Sequence, residues 1–301
     1  MADSELIRRS YKLFWFFLAS FLSAFAAAQE RYSPFVPTDE SDVVRMLKLA
    51  GVREGDVVFD LGSGDGRIVL EAGRMNARVR GRRIEMDEKL VAESTARAQA
   101  AGLADRVQFI HQNAFDTDLS DATVITMWLW PEVMHMLRPK ILEEARPGTR
   151  VVTRMWDLGT WPPDEKTTDG NTLYKWIVPA KVAGSWDWTL TIGERANSYT
   201  AILDQRYQTA EGFARTGSRR AVLNGVKVEG DEISFSILMG LEGRRVVRHQ
   251  YRGRVAGDVI EGTVSVLAEP YDKAIEMPWR AQRAANAAYF APTGIDPEAG
   301  R

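Results

Sequence analysis

The sequence predicts an α/β protein: a parallel sheet with interleaved helices, followed by a C-terminal antiparallel β domain forming a small barrel or sandwich. Three observations predict it. Val57 to Arg67 reads VVFDLGSGDGR, an apolar strand that stops at Asp60 and enters a loop holding Gly62, Gly64 and Gly66. Strand-like and helix-like runs then alternate up to about residue 180, which implies parallel strands joined by crossover helices. From Gly184 the period changes to two, and close glycine turns separate the runs.

The chain opens with Arg8, Arg9 and Lys12, an apolar run from Leu13 to Ala28, and the ending Ala26-Ala27-Ala28 before Gln29. This is the layout of a secretory signal peptide. The run falls short of the about 20 apolar residues that a spanning helix wants, so residues 1–28 read as a signal peptide, or as a signal anchor if uncleaved. Either form predicts a chain that is exported, periplasmic or secreted, or anchored, with membrane contact only through this segment. Arg8-Arg9 also has a faint twin-arginine character, a route that exports folded proteins together with their cofactors.

An α/β domain built around the glycine loop is expected over residues 29–180. Tyr32 to Pro37 is an extended entry, and Thr38 or Asp39 can cap a helix through Val43, Val44, Leu47 and Leu49 that Gly51 ends. After the glycine loop come a helical run (Ile68 to Ala72), a weak strand (Val79 to Ile84), a helix from about Glu88 to Ala101 and a strand from Val107 to His111. Asp121 to Trp128 leads into a fourth strand ended by Trp130 and Pro131, and a helix follows from about Glu132 to Ala145. Arg150 to Met155 is a fifth strand, and Leu173 to Val178 one more after the Trp161-Pro162-Pro163 loop. Residues 184–283 read as an antiparallel meander of about seven strands, with turns at Asn224-Gly225, Gly230-Asp231 and Gly257-Asp258. Residues 284–301 read as a flexible, Ala-rich tail.

The glycine loop is the functional core of this reading. A dinucleotide would bring a pyrophosphate to the turn, where helix N-terminal amides favour negative charge. Here the loop carries its own carboxylates, Asp60 and Asp65. An anion about 4 Å from a carboxylate at an effective dielectric near 20 is opposed by about 4 kcal/mol, and a cation gains as much. The signs favour S-adenosylmethionine, which has an ammonium, a sulfonium and no phosphate. Glu85 lies about 20 residues past the glycines, where a nucleotide-binding βαβ unit keeps its ribose-hydroxyl acceptor.

Composition narrows the alternatives. Lys and Arg number 39 against 41 Asp and Glu, a balance that argues against a nucleic-acid partner. The absence of cysteine excludes disulfides, thiolate zinc sites and a Cys nucleophile. His111, His135 and His249 are widely separated, so no metal site is expected.

These residues resemble the class I S-adenosylmethionine-dependent methyltransferases. More narrowly, PFVPT (Pro34 to Thr38), DLGSGDGRIV (Asp60 to Val69), Ala122 to Ile141 and Pro147 to Asp164 resemble a bacterial group related to the FAM173-type protein-lysine methyltransferases. The resemblance covers about residues 32–180. It implies a Rossmann-like sheet in which Asp60, Gly62, Ser63, Gly64, Asp65 and Gly66 line the methionine and sugar side and Glu85 holds the ribose hydroxyls. Asn113 and Ala114 would lie beside the adenine. The family usually has Asp at the position of Asn113, Pro at that of Glu88 and a small residue at that of Arg83.

The implied reaction is in-line methyl transfer to an amine, with a protein lysine as the candidate acceptor. Trp128, Trp130 and Pro131, which follow the fourth strand, are the candidate acceptor pocket, with Trp156 and Trp161 after the fifth; each ring could hold an ammonium at about 0.5–2 kcal/mol. Core or interface packing is the competing role for each tryptophan. Two other readings stand beside the methyltransferase: a nicotinamide reductase, and an exported non-enzymatic scaffold whose methyltransferase domain is a relic.

Overall fold

The computed structural model describes residues 37–192, 194–241, 245–268 and 274–284. The expected signal segment and nearly all of the tail lie outside the described residues. No helix among the described residues is long and apolar enough to cross a membrane.

The first sheet is built on β1 (Val57–Leu61), β2 (Arg80–Glu85), β3 (Val107–His111), β4 (Val124–Met127), β5 (Arg150–Arg154), β6 (Glu165–Thr167) and β7 (Leu173–Ile177). Its order is β3-β2-β1-β4-β5-β7-β6, parallel except where β7 runs against β5 and β6. The helices are α1 (Glu40–Ala50), α2 (Arg67–Met75), α3 (Glu88–Ala100) and α4 (Pro131–Glu144). The strand order reverses at β1 and β4, which puts the glycine loop at the sheet's switch point.

Strand alternation divides the core into two layers. Val58, Val124 and Val152 face one side, with Met46 and Leu47 of α1, Ile68 and Val69 of α2, and Ala98 of α3. Phe59, Leu61, Ile125, Met127 and Val151 face the other, where Met134, Leu137 and Ile141 of α4 share the cover with Trp161, Trp176 and Tyr207. Apolar residues on both faces explain why β1 and β4 read as near-continuous hydrophobic runs, interrupted by Asp60 and Thr126.

Local signals account for most boundaries. Gly51 ends α1 in the left-handed region at φ 59°. Asp87 caps α3 by accepting from the Lys89 and Leu90 amides. Asp39, expected as a cap, makes no capping bond, because its carboxylate accepts from Arg154 Nη2 at 3.4 Å instead. β6 was not expected: three residues, Glu-Lys-Thr, mostly exposed, leave no apolar pattern to read.

The second sheet comprises β8 (Gly184–Ile192), β9 (Arg195–Arg206), β10 (Thr209–Thr216), β11 (Arg219–Val222), β12 (Asn224–Glu229), β13 (Glu232–Leu241), β14 (Arg245–Ala256), β15 (Val259–Ala268) and β16 (Ile275–Arg283). All neighbours are antiparallel, and pairing of β9 with β10 closes the ring into a barrel, with β11 hanging from β10 outside it. The strands therefore exceed the expected seven. β10 escaped the pattern because its inward residues are Ala210, Gly212 and Ala214, small enough that period two has no amplitude. Asn224-Gly225 is not a turn but a bulge at the start of β12, where the register shifts between Asn224 and Lys227.

The barrel meets the sheet through a polar seam around an aromatic stack. Trp161 is fully buried, lies 6.1 Å from Tyr207 at an interplanar angle of 16°, and donates from Nε1 to Gln208 Oε1 at 3.0 Å. Gln205 Nε2 donates to Ala180 O at 2.8 Å, and its Oε1 accepts from the Val182 amide at 2.6 Å.

Candidate functional site

The carboxyl end of β1 and the loop beyond it form a cradle. Asp60 stands in register with Arg83 on β2 and Thr126 on β4, so the three side chains emerge on one face of the sheet. Thr126 Oγ1 donates to Asp60 Oδ1 at 2.7 Å, while Oδ2, also buried, has no partner among the described residues. Burial pushes the Asp60 carboxyl up to about 7, against the Thr126 hydrogen bond and the Arg83 charge.

The loop is tied to β2 by its own backbone. The Gly62 and Ser63 amides donate to Ile84 O at 3.0 and 3.3 Å. The Gly64 amide donates to Glu85 Oε2 at 2.8 Å, and Glu85 Oε1 accepts from the Met86 and Asp87 amides at 2.9 and 3.1 Å. Glycine is required at Gly62 for two reasons: φ is +74°, and a Cβ would come within 2.2 Å of Leu129 Cδ2. Gly62→Ala is accordingly expected to weaken binding of the loop's ligand by about tenfold or more, through strain of ~1–3 kcal/mol. Titration calorimetry checks this, and unchanged affinity would show that the loop tolerates the displacement of Leu129.

Asp65 does not contribute the negative field expected of it. Burial acts to raise its pKa, but Arg67 and Arg97 more than offset this and hold the carboxyl below its ordinary value. Arg67 Nε and Nη2 donate to Oδ1 and Oδ2 at 2.9 and 2.6 Å, and Arg97 Nη1 to Oδ2 at 3.0 Å. Among the oxygens of Asp60, Asp65 and Glu85, only Asp60 Oδ2 is left without a donor. A buried, unpartnered carboxylate oxygen is satisfied by a ligand that donates, so an ammonium fits the cradle for a more specific reason than the summed charge of the loop.

Arg83 fills the floor beneath the loop. Its guanidinium is fully buried, lies 5.4 Å from the Phe109 ring centroid, and donates from Nη1 to Leu90 O at 2.8 Å and to Ser94 Oγ. Nε and Nη2 have no hydrogen-bond partner, and Nη2 stands 4.0 Å from Glu85 Oε2. At the end of β3, Asn113 Oδ1 accepts from the Phe115 amide at 3.0 Å and caps the 3-10 turn Ala114–Asp116. The Asn113 side-chain oxygen therefore serves the backbone, and Ala114 opens the turn beside it.

The tryptophans separate into two groups. The Trp128 ring is covered by the Arg154 guanidinium at 4.1 Å, itself held by Asp42 Oδ2 at 2.6 Å, so the cation place on this ring is filled from within the protein. Trp161 is core at the barrel seam rather than rim. Trp130 and Trp156 are 49% and 42% exposed, and Pro131 begins α4 beside the first of them. Met155, 41% exposed at φ 67°, turns the chain after β5, with the Trp156 amide donating to Arg154 O at 2.9 Å. This is a strained γ-turn of the sort that persists at ligand-facing positions. Leu129, the chain neighbour of Trp130, reaches over Gly62 in the cradle.

Sequence reasoning missed Thr126, Arg67, Arg97, Leu129 and Met155. Only register could have found Thr126, since its role follows from standing opposite Asp60. His111 Nε2 lies 2.8 Å from Met86 O, and no acid partners it among the described residues.

Residues 60–165 match the family model of the ANTKMT methyltransferase domain. A protein-lysine N-methyltransferase from Saccharolobus islandicus is 39% identical over 150 residues, covering 48% of this chain and 93% of that protein. The adenine nucleotide translocase lysine N-methyltransferase of Mus musculus is 34% identical over 130 residues, and the chain spans 56% of its length. A solved structure described as an RNA methyltransferase from Salinibacter ruber, in complex with S-adenosyl-L-homocysteine, is 46% identical, covers 49% of this chain and 96% of that one, and superposes with a TM-score of 0.47.

Proposed function

This chain belongs to the family of ANTKMT-type, S-adenosylmethionine-dependent protein-lysine methyltransferases, and on that premise we propose that it methylates the side-chain amine of a protein lysine. The observation that carries the proposal is that Trp130, Met155 and Trp156 are exposed just past the carboxyl ends of the neighbouring strands β4 and β5, the sheet edge at which the glycine cradle lies, with Leu129 reaching over Gly62. A lysine side chain needs such a rim: an apolar path for its methylenes, ending where its amine meets the methyl donor.

The donor, S-adenosylmethionine, supplies a methyl group on a sulfonium, already activated for in-line displacement, so positioning does most of the catalysis. Asp60 Oδ2 would accept from the donor's ammonium, the Gly62–Gly66 backbone would line its methionine and sugar, and Glu85 would accept from the ribose hydroxyls. Asn113 and Ala114 would border the adenine. Glu85 can do this without rearrangement, because the amides it already accepts from hold the carboxylate in place.

The acceptor must lose a proton before it attacks. Taking a lysine amine from a pKa near 10.4 to its neutral form at pH 7 costs about 4.6 kcal/mol, which desolvation by the tryptophan rim reduces. We therefore expect kcat/KM to rise about tenfold per pH unit above neutrality until the pKa of the free acceptor amine is reached. Donor affinity should fall as pH drops below about 7, where Asp60 takes up a proton and loses its charge. A profile that is flat from about pH 6 to 9 in both quantities would contradict the assignment of these roles.

Incubation of a whole-cell extract with the protein and labelled S-adenosylmethionine tests the acceptor class. The proposal predicts a labelled product that protease destroys and ribonuclease spares; label lost to ribonuclease instead would move the acceptor to RNA. We also propose, from residues 1–28, that the chain acts outside the cytosol, and recovery of the untagged protein solely in the soluble cytosolic fraction would overturn that part.

A further inference from the structure

Among the described residues, buried side-chain atoms without a hydrogen-bond partner occur in two places only. One is the cradle, at Asp60 and Arg83. The other is the interior of the barrel, where Trp188 Nε1, Trp279 Nε1, Tyr251 Oη and His249 Nδ1 are all unpartnered. Buried polar groups are ordinarily satisfied, and in the cradle the deficit coincides with a ligand site. Methyl transfer makes no use of the second set.

The barrel set is one contiguous cluster. Trp188 lies 5.5 Å from Tyr251 and 6.0 Å from Trp279, both edge-on, and Tyr251 is 4.9 Å from Trp279. His249 stacks on Tyr251 at 6.1 Å, and its Nε2 is 3.2 Å from Tyr199 Oη. The Trp188 indole is near enough to the Tyr251 hydroxyl to favour its ionised form, yet neither atom reaches hydrogen-bond geometry. Exposure of these side chains is 5% or less. Tyr199 on β9 continues this aromatic wall by stacking on Trp188 at 5.4 Å, and beyond it the β9–β10 side of the interior is lined by Leu203 with the small residues Ala201, Ala210, Gly212 and Ala214. An eight-stranded barrel has an interior that side chains can just fill or that can hold one small ligand, and small residues on one wall favour the latter.

We propose that the barrel interior binds a small, neutral, planar aromatic molecule carrying hydrogen-bond-accepting oxygens, of which a quinone or an aromatic ketone is the simplest form. Each term comes from the wall. Indole N–H groups only donate, so the ligand must accept. The faces and edges of the aromatic side chains favour a flat π-system between them. No Lys, Arg, Asp or Glu is among the buried residues of the barrel that the structure describes, so a charged ligand would find no counter-ion among them. His249 adds no charge, since burial pushes its pKa down to about 4.

The test is a titration of the full chain with naphthoquinone, without methyl donor, followed by tryptophan quenching and calorimetry; the chain has no cysteine for the quinone to alkylate. Saturable one-to-one binding is expected, with naphthalene and naphthoate each weaker by about tenfold or more, the first for want of acceptors and the second for its charge. Trp279→Phe should weaken the quinone several-fold and leave naphthalene unchanged. Tyr251→Phe should also weaken the quinone while melting no lower than the parent, because the hydroxyl it removes has no partner. The proposal is overturned by the absence of saturable quinone binding, by naphthalene binding as tightly, by variants with parental affinity, or by a lower melting point for Tyr251→Phe. None of these outcomes bears on methyl transfer, which the measurement leaves out.

Discussion

Asp60→Asn is expected to bind S-adenosylmethionine about a hundredfold more weakly than the parent while melting at a higher temperature at pH 8. Both effects have one origin. The carboxylate is buried, and among the described residues its Oδ1 accepts from Thr126 while Oδ2 has no partner. Its folded pKa of about 7, well above the ordinary 3.8 of an aspartate, means that the folded protein binds this proton more tightly than the unfolded chain does. Stability from this group is therefore full below about pH 4 and lost progressively as pH rises towards 7. Asn keeps the shape without the charge, so at pH 8 it should restore ~1–3 kcal/mol, after allowance for its own unpartnered amide. The gain should fade as pH falls towards 4, where Asp60 is itself neutral. Loss of a charge-assisted hydrogen bond to the ligand's ammonium accounts for a binding loss of about 3 kcal/mol, or a hundredfold. Thermal melts at both pH values and calorimetry check the pair. A variant that melts lower at pH 8, or binds unchanged, would show that Asp60 is an ordinary structural acid.

Trp161→Ala is expected to be the most destabilising single truncation at the seam, by ~3–5 kcal/mol. The indole is fully buried, stacks on Tyr207 and leans on Trp176 at 6.0 Å. Its Nε1 satisfies Gln208 Oε1, and its carbonyl accepts from Trp176 Nε1 at 2.9 Å. Removing the ring opens a large cavity and leaves Gln208 without that donor. Since Tyr207 and Gln208 form the β9–β10 turn through which the barrel holds Trp161, the variant should unfold in two steps rather than one. Urea unfolding followed by near-ultraviolet circular dichroism measures this; a loss below about 1 kcal/mol would mean the two sheets are held together elsewhere.

The elements carrying chemistry were largely legible in sequence because their constraints are local. VVFDLGSGDGR declares a buried strand and a tight loop, and Glu85 stands at the right distance along the chain. The electrostatics of the loop were not legible, because Arg67, Arg97 and Thr126 act on Asp65 and Asp60 across helix packing and strand register. The same reason misled the reading of Trp128, whose ring is covered by an arginine from the neighbouring strand. In the barrel, β8 and β13 announced themselves by large alternating residues, whereas β10 lines the interior with alanine and glycine and so left no pattern. The fold of the first sheet follows from side chains that repeat; the site follows from side chains that meet.

The central claim is that this cradle selects a cationic nucleoside through an unsatisfied Asp60 and a backbone-held Glu85. Calorimetric titration of the full chain with S-adenosylmethionine, S-adenosylhomocysteine and NADH tests it most directly. Saturable one-to-one binding of the first two and none of NADH is predicted, since the Gly62, Ser63, Gly64 and Gly66 amides already donate within the protein and the acids beside them oppose a pyrophosphate. Binding of NADH as tight as that of S-adenosylmethionine, or no binding of either sulfur compound, would contradict it.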